Sequence, residues 1–204
     1  MEALNPATFK RTVAVFDYDN TLVNGDSLWP FLLAAAGWRR AAAALLKALL
    51  SLFPASVCGG VGDYRTFIKQ RLLISLLRGK RLEELKPAVE KMRRWPRVKK
   101  GQMDALLKHH AAGHLVVIAS GSLDIYLHAL LEKIPHHAVI CTEMEVKDGV
   151  LTGLMSSGNC VRAKKAERVA AWLALNGPFE NSYGYGNAPH DLPMLHLLKH
   201  EAVV

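Results

Sequence analysis

The sequence predicts an α/β fold built on a parallel sheet, and three observations carry that prediction. Short apolar, β-prone runs alternate with helical patterns along most of the 204 residues. Half of the residues are apolar and 22% are charged, enough for a sizeable core and too apolar for a disordered chain. A long helical block interrupts the alternation once, between the first and second runs. Strands separated by helices in this way form right-handed βαβ units, with helices covering both faces of the sheet.

In chain order, Val13–Phe16 is a buried first strand that ends at Asp17. From about Ser27 to Trp95 the texture is helical, with no convincing strand. Tyr64, Ile68, Leu72 and Leu76 keep one stripe there, and Leu82, Leu85, Val89 and Met92 keep another. Gly59-Gly60-x-Gly62 reads as a turn within this block, because no strand precedes it as a dinucleotide loop would require. Met103, Leu106, Leu107 and His110 share a helical face ahead of the second strand, His114–Ala119. A helix over Leu123–Lys133 leads to the third strand, His137–Cys141. Alternation from Glu143 to Leu154 around Asp148-Gly149 is a hairpin signal. Ala166, Val169, Ala170 and Leu173 repeat at helical spacing before a fourth strand, Tyr183–Tyr185, and Glu201–Val204 opens a fifth just as the chain ends.

The formal net charge is +8, carried largely by the doublets Arg39-Arg40, Lys80-Arg81, Arg93-Arg94, Lys99-Lys100 and Lys164-Lys165. With no RNA-binding aromatic motif or zinc-finger spacing beside them, these read as solvated helix faces and not as a nucleic-acid footprint. A basic field also suits a small anionic substrate. Cys58, Cys141 and Cys160 include no C-x-x-C pair, so a disulfide framework and a Cys-based zinc site are disfavoured. Reduced thiols in the cytoplasm are the expectation, and Met1–Thr12 has no apolar signal-peptide region. The apolar stretch Leu28–Phe53 is charge-free only from Ser27 to Trp38, twelve residues that include Pro30. A spanning helix needs about 20 apolar residues, so this one should not span a membrane. A basic helix with Trp29, Phe31 and Trp38 can instead lie at a membrane surface. Packing within the helical block is the favoured expectation, and membrane-surface contact is not.

Chemistry concentrates at the end of the first strand, in Phe16-Asp17-Tyr18-Asp19-Asn20-Thr21. Ligands of open parallel sheets bind beyond the carboxyl ends of strands. Two carboxylates two residues apart on a turning chain can take different jobs: one faces a phosphoryl group, the other reaches the leaving oxygen. Ser120-Gly121-Ser122 ends the second strand, Lys165 lies 45 residues beyond Ser120, and Gly186-Asn187-x3-Asp191-Leu-Pro-Met-Leu follows the fourth strand.

In that order and on those elements, the four motifs resemble those of the haloacid dehalogenase superfamily. Asn159-Cys160-x4-Lys165 and Asp191–Leu195 are similar to its subfamily IB, the relatives of phosphoserine phosphatase. The resemblance implies a Rossmann-like core of residues 1–26 and 97–204, with a helical cap at 27–96. It also implies a magnesium-dependent phosphomonoester hydrolase acting through an aspartyl-phosphate on Asp17. Asp19 would be the general acid and then the base, and Thr21 would position Asp19 or the turn. Ser120 and the Gly121 N–H would donate to phosphoryl oxygens, and Lys165, five residues after Cys160, would supply fixed positive charge where Lys164 would not. Magnesium would be held by Asp17, the Asp19 carbonyl and the last motif.

That last motif departs from the family pattern, because Asn187 stands where an aspartate ligand is usual. Either Asn187 or Asp191 would then touch the metal, and metal affinity would fall. This motivates a rival reading, a catalytically weakened scaffold that acts as a binding or membrane-surface protein. A phosphotransferase using the same intermediate is a third. The substrate would be a small phosphorylated metabolite or lipid head group. Phosphoserine itself is less favoured, because its phosphatases place a glutamate where this chain offers only Asp26. His196 and His200 lack a third metal ligand, and His190 is the one histidine expected beside the site. Relatives continue past the last strand, so the ending at Val204 looks abrupt.

Overall fold

A computed structural model describes residues 11–52 and 63–204. The readings of Met1–Lys10, Phe53, Cys58 and Gly59–Gly62 therefore lie outside the described residues.

Five parallel strands form one sheet: β1 (Thr12–Phe16), β2 (Leu115–Leu123), β3 (Ala138–Thr142), β6 (Asn181–Gly186) and β7 (His200–Val203), in the order β3-β2-β1-β6-β7. β1 is central, and the chain builds outward from it in both directions, which makes its carboxyl end a topological switch point. Val13 and Val15 enter the apolar cluster on one face of the sheet, while Ala14 and Phe16 enter the cluster on the other. Burial on both sides is why this strand reads as a continuous apolar run and not as an alternating one. Helix α7 (Arg162–Asn176) and the short α8 (Leu192–Leu195) cover the first face, through Val169, Met194 and Leu195. Helices α5 (Lys100–Ala111) and α6 (Asp124–Leu131) cover the second, through Leu106, Tyr126 and Leu127.

Between β1 and β2 the chain forms α1 (Leu28–Ala36), α2 (Trp38–Leu50), α3 (Tyr64–Leu77) and α4 (Leu82–Met92), with no named strand among the described residues of this block. Phe31, Leu73, Leu77 and Leu85 from these helices join the second-face cluster, and Phe31 meets Tyr126 of α6 at a ring separation of 4.6 Å. The inserted helices thus share a core with the sheet. The hairpin of β4 (Met144–Lys147) and β5 (Val150–Met155) forms as its Asp148-Gly149 turn predicts. It leans on the inserted helices: Gly79 N donates to Leu151 O and Leu151 N to Lys80 O, both at 2.9 Å. Gly153, at φ +82°, lets the strand approach Ile74 so closely that a Cβ would sit 2.7 Å from the Ile74 Cα.

Three local expectations need correction. The described part of the stretch Leu28–Phe53 forms two helices and not one, because Gly37 at φ 79° and ψ 158° ends α1 and turns the chain into α2. The buried side of α5 is rotated: Leu107 and His110 face solvent, while Leu106 and the half-buried His109 face the sheet. His109 packs edge-on against Phe16, and its Nε2 lies 3.0 Å from the Tyr185 hydroxyl, so a polar ring tip finds a partner inside. Finally, β2 runs on to Leu123, which takes Ser120–Ser122 into the strand and delays the next helix to Asp124. Among the described residues no helix is long and apolar enough to cross a membrane.

Candidate active site

A cavity of about 280 Å³ opens beyond the carboxyl ends of β1, β2 and β6, lined by residues of the sheet and of the inserted helices. Asp17 and Asp19 lie on its floor because β1 ends at Phe16 and the chain turns at once; Asn20, at φ 60°, takes the left-handed conformation that the turn requires. Asp17 is buried. Its Oδ1 accepts from Lys165 Nζ at 2.7 Å and its Oδ2 from Thr21 Oγ1 at 2.8 Å. Thr21 therefore positions Asp17, not Asp19, and it lies beneath the cavity rather than on its wall.

Lys165 stands on the first turn of α7 and is almost wholly buried, its Nζ shared between Asp17 Oδ1 and Asp191 Oδ1 at 2.7 and 2.6 Å. Lys164 points away and pairs with Glu167 at 2.8 Å. Burial favours a neutral lysine, yet the two carboxylates outweigh it and hold Lys165 above its usual range. For Asp17, burial raises the carboxyl against the opposing pull of Lys165. The two tendencies meet in one pair, and contacts of 2.6–2.7 Å to both carboxylates make it a charged one.

Asp19 sits in a different setting. Its Oδ1 accepts from Ser27 N at 3.0 Å, and its Oδ2 from Ser27 Oγ at 3.0 Å and Ser122 Oγ at 2.6 Å. Ser27 Oγ also lies 2.7 Å from Ser122 Oγ and 2.9 Å from the Tyr126 hydroxyl, so a buried chain of hydroxyls backs this carboxyl. Burial, with Asp26 and Asp17 adding to it, pushes Asp19 up to about 7 despite the serine donors. Two carboxyls two residues apart thus differ in kind: one is locked to a cation, the other is poised to titrate near neutrality.

Ser120 is fully buried, and its hydroxyl oxygen accepts from Ser122 N at 3.0 Å; Gly121 and Ser122 line the cavity where Ser120 does not. Asn187 follows β6. Its Nδ2 lies 3.2 Å from the Asp19 carbonyl and 3.5 Å from Asp17 Oδ2, while Asp191 Oδ2 accepts from Asn187 N at 2.9 Å. Gly186 permits that turn, since a Cβ there would meet the Asp191 Cβ at 2.7 Å. Among the described residues no cluster of three or more His, Cys, Asp or Glu is set to hold a metal. Asp17 Oδ2 and the Asp19 carbonyl converge on the Asn187 side chain, whose amino group faces them; with that amide turned to present its oxygen, the three make a hard-oxygen set that fits magnesium without a second carboxylate.

Several residues at the site carry no sequence motif. Lys69 of α3 is buried, and its ammonium donates to Gly121 O at 2.6 Å and Asn159 Oδ1 at 2.7 Å. Its signal was a lysine on the same stripe as Leu72, Leu73 and Leu76. At the rim Arg65 Nη1 lies 2.7 Å from His190 Nε2, and Arg162 pairs with Asp63 at 2.7 Å. His190 is thus beside the site as expected, whereas His196 instead meets Glu201 and His200 stacks on Tyr183.

A parallel α/β core with its acids at the switch point, joined by a lysine and by donors from a neighbouring strand end, defines a class of hydrolase. Residues 14–196 match the haloacid dehalogenase-like hydrolases, and the chain belongs to that family. A histidinol-phosphatase from Neisseria meningitidis serogroup C is 28% identical over 203 residues, covering 95% of this chain and 90% of the relative. A phosphoserine phosphatase from Methanocaldococcus jannaschii is 22% identical over 186 residues, covering 91% and 81%. A solved phosphoserine phosphatase, described as a phospho-aspartyl intermediate analogue, superposes with a TM-score of 0.64 at 20% identity, covering 95% of this chain and 86% of that one. The architecture is therefore the phosphoserine phosphatase-like form of the haloacid dehalogenase fold.

Proposed function

We propose that the protein is a magnesium-dependent phosphomonoester hydrolase in which Asp17 attacks phosphorus and Asp19 serves as general acid and then base. The observation that carries this reading is the division of labour between the two carboxyls. Asp17, on the cavity floor, is oriented by Lys165 and Thr21, while Asp19, raised to about 7, holds a proton for a leaving alkoxide and afterwards takes one from water. Lys165 and the Ser120–Ser122 strand end would offset phosphoryl charge. Asp17, the Asp19 carbonyl and Asn187 would hold magnesium, which supplies positive charge to the phosphoryl oxygens when bound. Asp191 serves Lys165 and the Asn187 N–H, which favours Asn187 over Asp191 as the ligand.

The relatives named for histidinol phosphate and phosphoserine support a small phosphorylated substrate, and a cavity of about 280 Å³ suits one. Residues 27–96 act as the cap over the core of 1–26 and 97–204, a role supported by Arg65 and Lys69 reaching the cavity from α3. The buried, free Cys141 and Cys160 are consistent with a cytoplasmic setting.

Asp17→Asn keeps the shape and removes the attacking charge. Turnover of a phosphomonoester, read as phosphate release with magnesium present, should fall at least about a thousandfold. Retention of a tenth of the wild-type rate would remove Asp17 from this role.

A further inference from the structure

The helix α2 is built inside out. It packs through the small residues Ala41, Ala44 and Ala48 with Leu45 beside them, and leaves four large apolar side chains in water: Trp38 is 68% exposed, Leu46 59%, Leu49 46% and Leu50 67%. At 100° per residue, Trp38, Leu49, Leu46 and Leu50 fall within one sector of about 120°, a band that also holds Arg39, and Lys47 and Arg40 follow along its edge. The Arg39 guanidinium lies 5.6 Å from the centre of the Trp38 ring, which pairs a cation with an amphipathic aromatic at one end of the band. From Ser27 to Gly62 the chain carries no acidic residue at all.

We propose that this outward face of α2 docks on the surface of an anionic lipid bilayer. An apolar band with cations along one edge and no acids is the arrangement that enters a bilayer interface, where apolar side chains leave water and each cation meets anionic head groups. A second copy of the chain fits the face poorly. A two-fold contact sets the same patch against itself, and Arg39, Arg40 and Lys47 would then face their own copies with no local acid to neutralise them. The face itself lies off the cavity, to which α2 contributes no residue, although its neighbours α1 and α3 do through Leu28 and Arg65.

Flotation with phosphatidylcholine vesicles, with and without about a third phosphatidylglycerol, tests the proposal on the whole chain. Binding should be at least about tenfold stronger to the anionic vesicles and should weaken as salt rises. The doubly substituted Leu46→Ser, Leu50→Ser protein should lose at least about tenfold in binding, and Arg39→Glu should remove the preference for anionic lipid. Both variants should keep the wild-type melting temperature and its turnover of a soluble phosphomonoester, because none of these side chains reaches the cavity. Vesicle binding is read without any substrate, so it stands or falls separately from the phosphatase reading. Absence of binding to anionic vesicles, binding that both variants retain, or sedimentation as a dimer abolished by the same substitutions would each overturn it.

Discussion

Lys69 shows what a single residue can reveal about this site. Burial pulls its ammonium down to about 8, with Asp26 and Asp19 opposing, so folding disfavours the charged form. The penalty is fully present below about pH 8 and is gone above the unfolded value of 10.5. A buried cation on the wall of the cavity is thus kept at a cost to stability. Lys69→Met removes that cost along with the bonds to Gly121 O and Asn159, but Thr142 Oγ1 still donates to Gly121 O at 2.9 Å. Stability should therefore move by less than about 1 kcal/mol. The kcat/KM for a phosphomonoester should fall at least about tenfold. Parallel melts and kinetics decide: a large loss of stability with unchanged kinetics would make Lys69 a packing residue. The acids, Lys165 and Asn187 were legible in the sequence because each ends a strand or opens a helix within a spaced motif. Ser27, Ser122 and Tyr126 were not read as partners of Asp19, since that network is closed by contacts 95 and 99 residues apart.

Among the elements, the strands were the most legible, because burial on both faces leaves a run of apolar letters with turn residues at its ends. Helix faces were less so. The outward rotation of Leu107 follows from His109 finding both an aromatic neighbour and a hydroxyl inside, an arrangement that hydrophobic spacing alone does not encode. The break at Gly37 was visible as a glycine, but only the backbone shows that it separates two helices with different buried faces. The hairpin was legible from Asp148-Gly149, whereas its seat on α3 was not. That seat depends on Gly153. An alanine there would need both a left-handed backbone and a Cβ 2.7 Å from the Ile74 Cα, so Gly153→Ala should cost about 2–3 kcal/mol. The melting temperature of a chain this size should drop by about 5 °C or more. A change within a degree would mean that the hairpin and α3 separate freely.

Stability of the whole molecule also carries the imprint of the site. Burial holds Asp19 at about 7 in the folded protein against 3.8 for the free side chain, so between these values the folded state holds a proton that the unfolded chain has released. Stability should therefore fall as pH rises from about 4 to about 7 and then level off, by about 4 kcal/mol from this group. In protein treated with chelator, Asp19→Asn should flatten that decline, and its melting temperature should gain on the wild type as pH increases. A gap between the two that is equal at pH 5 and pH 8 would exclude Asp19 as the source. The β4–β5 hairpin bears on any movement of the inserted helices. It is contiguous in sequence with the sheet, yet its main-chain bonds at Gly79, Lys80 and Leu151 tie it to the inserted helices. A swing of those helices that left the hairpin behind would strip two hydrogen bonds and unseat Gly153 from Ile74. A swing that carried it along would break neither, and would bend the chain at its two roots, Thr142–Glu143 and Ser156–Gly158. Any body that moved over the cavity would then be larger than the insertion itself, and its hinges would lie on both sides of a segment that sequence order places with the sheet.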